Sequence, residues 1–253
     1  GTGALASNTT GGSNVAIGTY ALDANTTGSS SVAIGLHALT ASTTAGENTA
    51  IGYNAMGSNT TGHTNVAVGL RALDANTTGL YNTAIGGDAL GAASTGERNT
   101  ALGAYAMDNA TTGGYNCAVG YHALGSNTTS SYHTAIGYNA LASQTTATNN
   151  TAVGSTAGDS ITTGSYNVAV GNNSLTSLTT NHFNVAIGSN AQIYATGSYN
   201  TSIGAEALEG VDGSSTGSSN TAVGFRALED FTTGQDNTAV GVSAIDKNTT
   251  GNY

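Results

Sequence analysis

Apolar and small polar residues alternate in a five-residue pattern, Asn14-Val15-Ala16-Ile17-Gly18, that returns thirteen more times along the chain. The closing glycines step by 17 residues from Gly18 to Gly188, then by 16, 20 and 17 to Gly241. With Asn as position 1, Gly is position 5, an Ala-Leu pair fills positions 8 and 9, and Asn-Thr-Thr-Gly fills positions 12 to 15. Each repeat thus predicts one short β-branched strand closed by Gly, a second apolar segment and a turn. Recurring glycines and Asn/Thr-rich connections interrupt any helical period.

Seventeen residues bury no core alone, but stacked coils do, each adding a strand about 4.8 Å from the last. The expected fold is all-β, a parallel β-solenoid of about fifteen 17-residue coils running unbroken over residues 1–253, a rod of roughly 70 Å. Its interior ladder is expected at Ile17, Ile34, Ile51, Val68, Ile85 and their equivalents, facing Leu5, Leu22, Leu39, Met56, Leu73 and theirs. Only Gly158 and Gln192 break the second ladder, and they mark the expected weak coils.

Several columns carry further expectations. The invariant glycine at position 5 implies positive φ or no room for a β-carbon. Asn at position 1, replaced only by Ser31 and His133, suits an amide ladder at a corner. Thr at position 14, from Thr10 and Thr27 to Thr250, suits a hydroxyl column satisfying turn backbone groups. Ala at position 3 gives way only to Ser202 and points opposite to positions 2 and 4. A strand packed on both faces explains it, one face closing the coil and the other meeting a second chain; the competing reading is a thin single-chain solenoid with Ala inside. The irregular stretch around Ala191-Gln192-Ile193 and the insertion at Glu209–Gly213 fit recognition loops or neutral drift.

Composition narrows the function. Charged residues are 7% of the chain and the net charge is −10, which argues against nucleic acid or an anionic membrane as partner. No apolar run of about 20 residues suits membrane insertion. Cys117, the single cysteine, sits in the slot of Val15 and Thr49 and reads as a small buried residue. The chain begins and ends inside repeats, as a piece of a longer fibrous protein would.

Candidate chemistry is sparse. His37, His63, His122, His133 and His182 occupy different repeat positions and read as scattered surface residues. Asp23, Asp74, Asp108, Asp159 and Asp246 share position 10, but other residues interrupt the column that a calcium β-roll needs. Glu209, Glu229 and Asp246 stand on successive coils and read as a solvated edge, so no metal, cofactor or catalytic constellation is expected. Asn-Thr-Thr triplets at Asn8, Asn25, Asn59, Asn76, Asn127 and Asn248 match a glycosylation sequon but are explained by turn chemistry. Tyr81, Tyr115, Tyr132, Tyr166, Phe183, Tyr199 and Tyr253 precede a strand or its equivalent, and Tyr53, Tyr121, Tyr138 and Phe225 follow its glycine. The latter four are the candidate glycan-binding row; packing along corners or subunit seams is the alternative.

The strand Asn237-Thr238-Ala239-Val240-Gly241, the pair Ala123-Leu124 and the turn Asn76-Thr77-Thr78-Gly79 resemble the repeats of phage tail fibres of the marine and cyanobacterial type. Ser31 to Gly35 is similar to the strand of trimeric autotransporter adhesin heads, with Ser30 in place of the leading Asn. The resemblance covers the whole chain and implies a left-handed parallel β-roll, three chains packed about a common axis, and an extracellular place on a virion tail fibre or a cell surface. The expected function is a non-enzymatic fibre shaft that aids attachment to a host glycan or protein receptor. A bacterial trimeric adhesin is the alternative. A single-chain ice-binding solenoid is disfavoured because Thr at positions 13 and 14 would point to opposite faces.

Overall fold

The computed structural model describes residues 1–247 and 249–252, which divide into two compact units, Gly1–Ser131 and Tyr132–Tyr253. In the first, seven strands from β1 (Val15–Ile17) to β7 (Cys117–Val119) pair in parallel, each with the next and one repeat apart in register. The second repeats this from β8 (Thr134–Ile136) to β14 (Thr238–Val240). The 16- and 20-residue steps leave the strand register intact, with Val185 opposite Thr201 and Thr201 opposite Thr221. The expected parallel β-solenoid is therefore the fold, with no helix among the described residues and strands of three residues rather than four or five.

Two causes fix the glycine that closes each strand. Its φ lies between 126° and 141° in all fourteen copies, and a β-carbon on Gly69 would stand 2.5 Å from the Gly86 carbonyl oxygen. Positions 7, 9 and 17 are left-handed as well, and almost always without glycine: φ is 50° at Arg71, 54° at Leu73 and 57° at Arg98. Each such residue costs roughly 1 kcal/mol. The conformation turns backbone donors along the stacking axis. Arg71 N–H donates back to the Tyr53 carbonyl at 2.9 Å, Leu73 N–H forward to Ala89 at 3.0 Å, and Arg98 N–H back to Leu80 at 3.0 Å.

The interior differs from the expected one at the strand. Ala33, Ala50, Ala67 and their equivalents are fully buried and face Ala and Leu at positions 8 and 9, whereas Ile17, Ile51, Ile85 and the rest of that ladder point outward. A coil that already holds Leu or Met at position 9 has room only for Ala opposite. The Ala column is thus the inside of a thin solenoid and no longer argues for a second chain.

Amides line the rest of the interior. Asn65 Oδ1 accepts the backbone N–H of Asn82 at 2.9 Å, while its Nδ2 donates to the Gly79 carbonyl at 2.8 Å. The same bonds recur in both units, and the two exceptions keep the acceptor: Ser31 Oγ accepts from Asn48 N–H at 3.2 Å, and His133 Nδ1 from Asn150 N–H at 3.2 Å. These buried donors would otherwise be orphaned. The bonded hydroxyl column is position 13, not 14. Thr26, Thr60 and Thr77 donate through Oγ1 to the position-13 carbonyl of the next coil, at 2.9 to 3.0 Å.

The expected weak coils are repaired inside the core. Gly158 is compensated by Ile161, buried at position 12 where the coils of the first unit carry Asn, Ser or Ala. Gln192 reverses the exchange: Ala195 takes position 12, and Gln192 supplies the amide, donating to Asn184 Oδ1 at 3.1 Å. Leu178 and Phe231 are also fully buried at position 12, so the second unit has a more apolar core there than the Asn-bearing first.

Candidate functional site

The outward side of the strands is the most uniform surface. Position 4 is Ile, Val or Leu in all fourteen copies, and position 2 is Val, Thr or Cys, with no charge at either. These side chains are not hidden: Ile85, Ile136 and Ile187 are 38%, 39% and 39% exposed. A face of seven rungs, three residues wide, covers roughly 300 Å² in each unit. That is about the size of the largest apolar patch on an ordinary monomer, a patch that is often functional. Cys117 belongs to this outward row and is half-buried, not enclosed as expected.

The four candidate glycan-binding aromatics share one column but do not form one platform. Tyr53 and Tyr121 lie four coils apart in the first unit, and Tyr138 and Phe225 five coils apart in the second. Arg226 covers a face of Phe225 at 4.9 Å, and Tyr121 meets Tyr105 edge-on at 5.7 Å. The closer aromatic grouping is at position 17. Tyr166, Phe183 and Tyr199 stack at 5.1 and 5.2 Å with planes 7° and 11° apart, and Arg98 sits 5.3 Å from both Tyr81 and Tyr115. Rings stacked in this way give their faces to one another, leaving little for a sugar to stack on. Tyr253 and Asn248 lie outside the described residues.

Two grooves open on the first unit. The larger, about 530 Å³, is lined by Thr27, Thr44 and Thr61 together with Ser29, Gly46, Glu47 and His63. Thr64 Oγ1 lies 3.2 Å from His63 Nδ1 and donates to Glu47 Oε2 at 3.2 Å. The hydroxyl stands between imidazole and carboxylate, whereas a nucleophile needs the base beside it and the orienting group beyond. The second groove, about 330 Å³, holds the Arg71–Asp88 pair at 2.8 Å and Asp74 and Asp108, whose carboxyls partial burial pushes up.

Acidic groups also gather in the second unit, where Glu206, Glu209 and Glu229 each place a carboxylate oxygen within 4.8 Å of the others. Arg226 Nε lies 2.6 Å from Glu206 and 3.4 Å from Glu229, and Glu209 is pushed up by burial first and by Glu206 and Glu229 next. Glu206, not Asp246, completes the cluster that the sequence placed on this edge. Of the histidines, His63 and His182 are exposed and His37 stacks on Tyr20 at 5.2 Å, but His133 is buried in the amide ladder. Sequon residues Asn25, Asn59, Asn76 and Asn127 are fully buried, with their amides donating within the turn. No helix among the described residues is long and apolar enough to cross a membrane. Comparison of the chain with protein-family models, with curated proteins and with solved structures gives no match.

Proposed function

We propose that the chain is the shaft of a homotrimeric extracellular fibre of the phage tail-fibre type, assembled through the outward Val/Thr and Ile/Val face and holding a recognition end toward a host surface. The observation that carries this reading is the composition of that face. The internal copies act as their own comparison: exposed positions 6, 7 and 17 range over Tyr, Arg, Asp, Gly, Asn and Ser, while position 4 accepts only Ile, Val and Leu. Solvent exposure does not impose such a restriction, and burial against an apolar partner does. A second copy presents the same rung spacing of about 4.8 Å along the stripe of each unit, so the two match rung for rung there. Three copies is the number implied by the resemblance to tail-fibre and adhesin-head repeats.

The role is mechanical. Stacked backbone ladders supply stiffness, and identical chains supply several attachment points at once. Cys117 offers a direct test, because it is the only thiol and lies on the proposed interface. Native protein should react slowly with a bulky maleimide and urea-unfolded protein rapidly; equal rates in the two states would overturn the assignment of this face.

A further inference from the structure

The file of threonines at position 14 points to a binding groove for a neutral linear polysaccharide lying along the solenoid axis, and we propose that the shaft takes such a ligand there. Thr27, Thr44 and Thr61 are exposed and line the 530 Å³ groove, and among the described residues no hydrogen bond within the chain uses their hydroxyls. The backbone does not explain the choice, since the interior bonds of the turn are made by the hydroxyls of position 13. Yet Thr is kept from coil to coil, while position 16 of the same lining changes from Ser29 to Gly46 to His63.

A hydroxyl beside a methyl at every rung repeats about every 4.8 Å in one dimension. An ice surface asks for a match in two dimensions; a linear polymer asks for one. The groove holds no apolar side chain larger than Ala45, so it does not suit an aliphatic ligand, and Glu47 with a net charge of −10 disfavours a polyanion. Alternating hydroxyl and C–H groups on an uncharged sugar chain fit Thr on both counts. The inference adds a ligand to the shaft reading and rests on it only for biological context.

Affinity electrophoresis of the full chain through gels containing dextran, laminarin or galactomannan tests it. Retardation by at least one is expected, weakened roughly tenfold or more in the triple variant Thr27→Val, Thr44→Val, Thr61→Val, as loss of three hydrogen bonds implies. The matching Thr→Ser triple variant, which keeps the hydroxyls, should retain most of the retardation, and unchanged circular dichroism controls for folding. No retardation in any gel, or equal retardation of the Val variant, overturns the inference, as does thermal hysteresis in place of glycan binding. Light scattering on the same samples separates the two readings: a trimer without retardation defeats only the groove, and a retarded monomer defeats only the trimeric shaft.

Discussion

Ile161 fills the core space left by Gly158. A β-carbon on Gly158 would stand 3.0 Å from Ile161 Cδ1, and Ile161 is 1% exposed where most coils of the first unit carry Asn or a smaller residue. In this coil the position-12 side chain takes the space beside position 9, whereas Leu175 with Leu178 and Leu228 with Phe231 are both accommodated in theirs. Gly158→Leu is expected to destabilise the protein by about 1–3 kcal/mol through overpacking and a left-handed Leu. Ile161→Asn should cost about 2–5 kcal/mol through the cavity and an underused amide. The double variant carries the Leu–Asn pair of first-unit coils such as Leu73–Asn76, so urea melts should give a favourable coupling of about 1–3 kcal/mol.

Asn65 holds two buried backbone groups, the Asn82 N–H at 2.9 Å and the Gly79 carbonyl at 2.8 Å. Asn65→Ala leaves both without a partner and is expected to cost about 2–4 kcal/mol. Asn65→Ser should cost distinctly less, because Ser31 already accepts from the next coil's N–H at this position. Equal losses for Ala and Ser in chemical denaturation would remove the acceptor role.

Burial pushes the His133 imidazole down from 6.5 to about 4, against smaller opposing contributions from its bonds to Ala147 and Asn150. Unfolded chain takes up this proton as pH falls below 6.5, and folded chain does not until about pH 4. The stabilisation is thus complete above pH 6.5 and declines by up to about 1.4 kcal/mol per pH unit down to about 4, below which it is level. Asp159 in the same unit is pushed up by burial and works with the opposite sign near and above its ordinary range. His133→Asn isolates the imidazole: urea midpoints of this variant, measured from pH 7 to 4.5, should fall less steeply than those of the parent.

Much of this fold is legible in the sequence, because a 17-residue period with an invariant glycine leaves a stacked β-coil as the only way to bury the Ala-Leu pairs. The glycine corner and the Asn ladder are legible for the same reason: one needs a missing β-carbon, the other an amide at every rung. Which strand face is interior is not legible from alternation alone, since Ala and Ile columns both read as apolar; the volume of Leu across the coil decides it. Left-handed backbone at Arg71, Leu73 and Arg98 carries no glycine signal, because interchain-like bonds between coils hold it in place. The Gly158–Ile161 and Gln192–Ala195 exchanges are visible as paired departures within one repeat, three residues apart, and only the structure shows that each pair meets in the core. The outward stripe follows from the same face assignment, whereas the groove depends on which of two adjacent Thr columns spends its hydroxyl inside.

Ile85, on the fifth of the seven rungs of the first unit's outward stripe, is 38% exposed. Ile85→Lys should leave the secondary structure of the isolated chain unchanged, since the side chain already points to solvent there. It should lower the assembly state, because a charge buried between copies without a partner costs several kcal/mol. Sedimentation velocity showing the parent distribution unchanged would remove this stripe from the interface.

The mass of the intact chain in solution, by light scattering at micromolar concentration, tests self-association most directly. A value near three times the 24.7 kDa chain mass is predicted. A stable mass of one chain at the same concentration would contradict the trimeric shaft and leave the apolar stripe as surface on a single-chain solenoid.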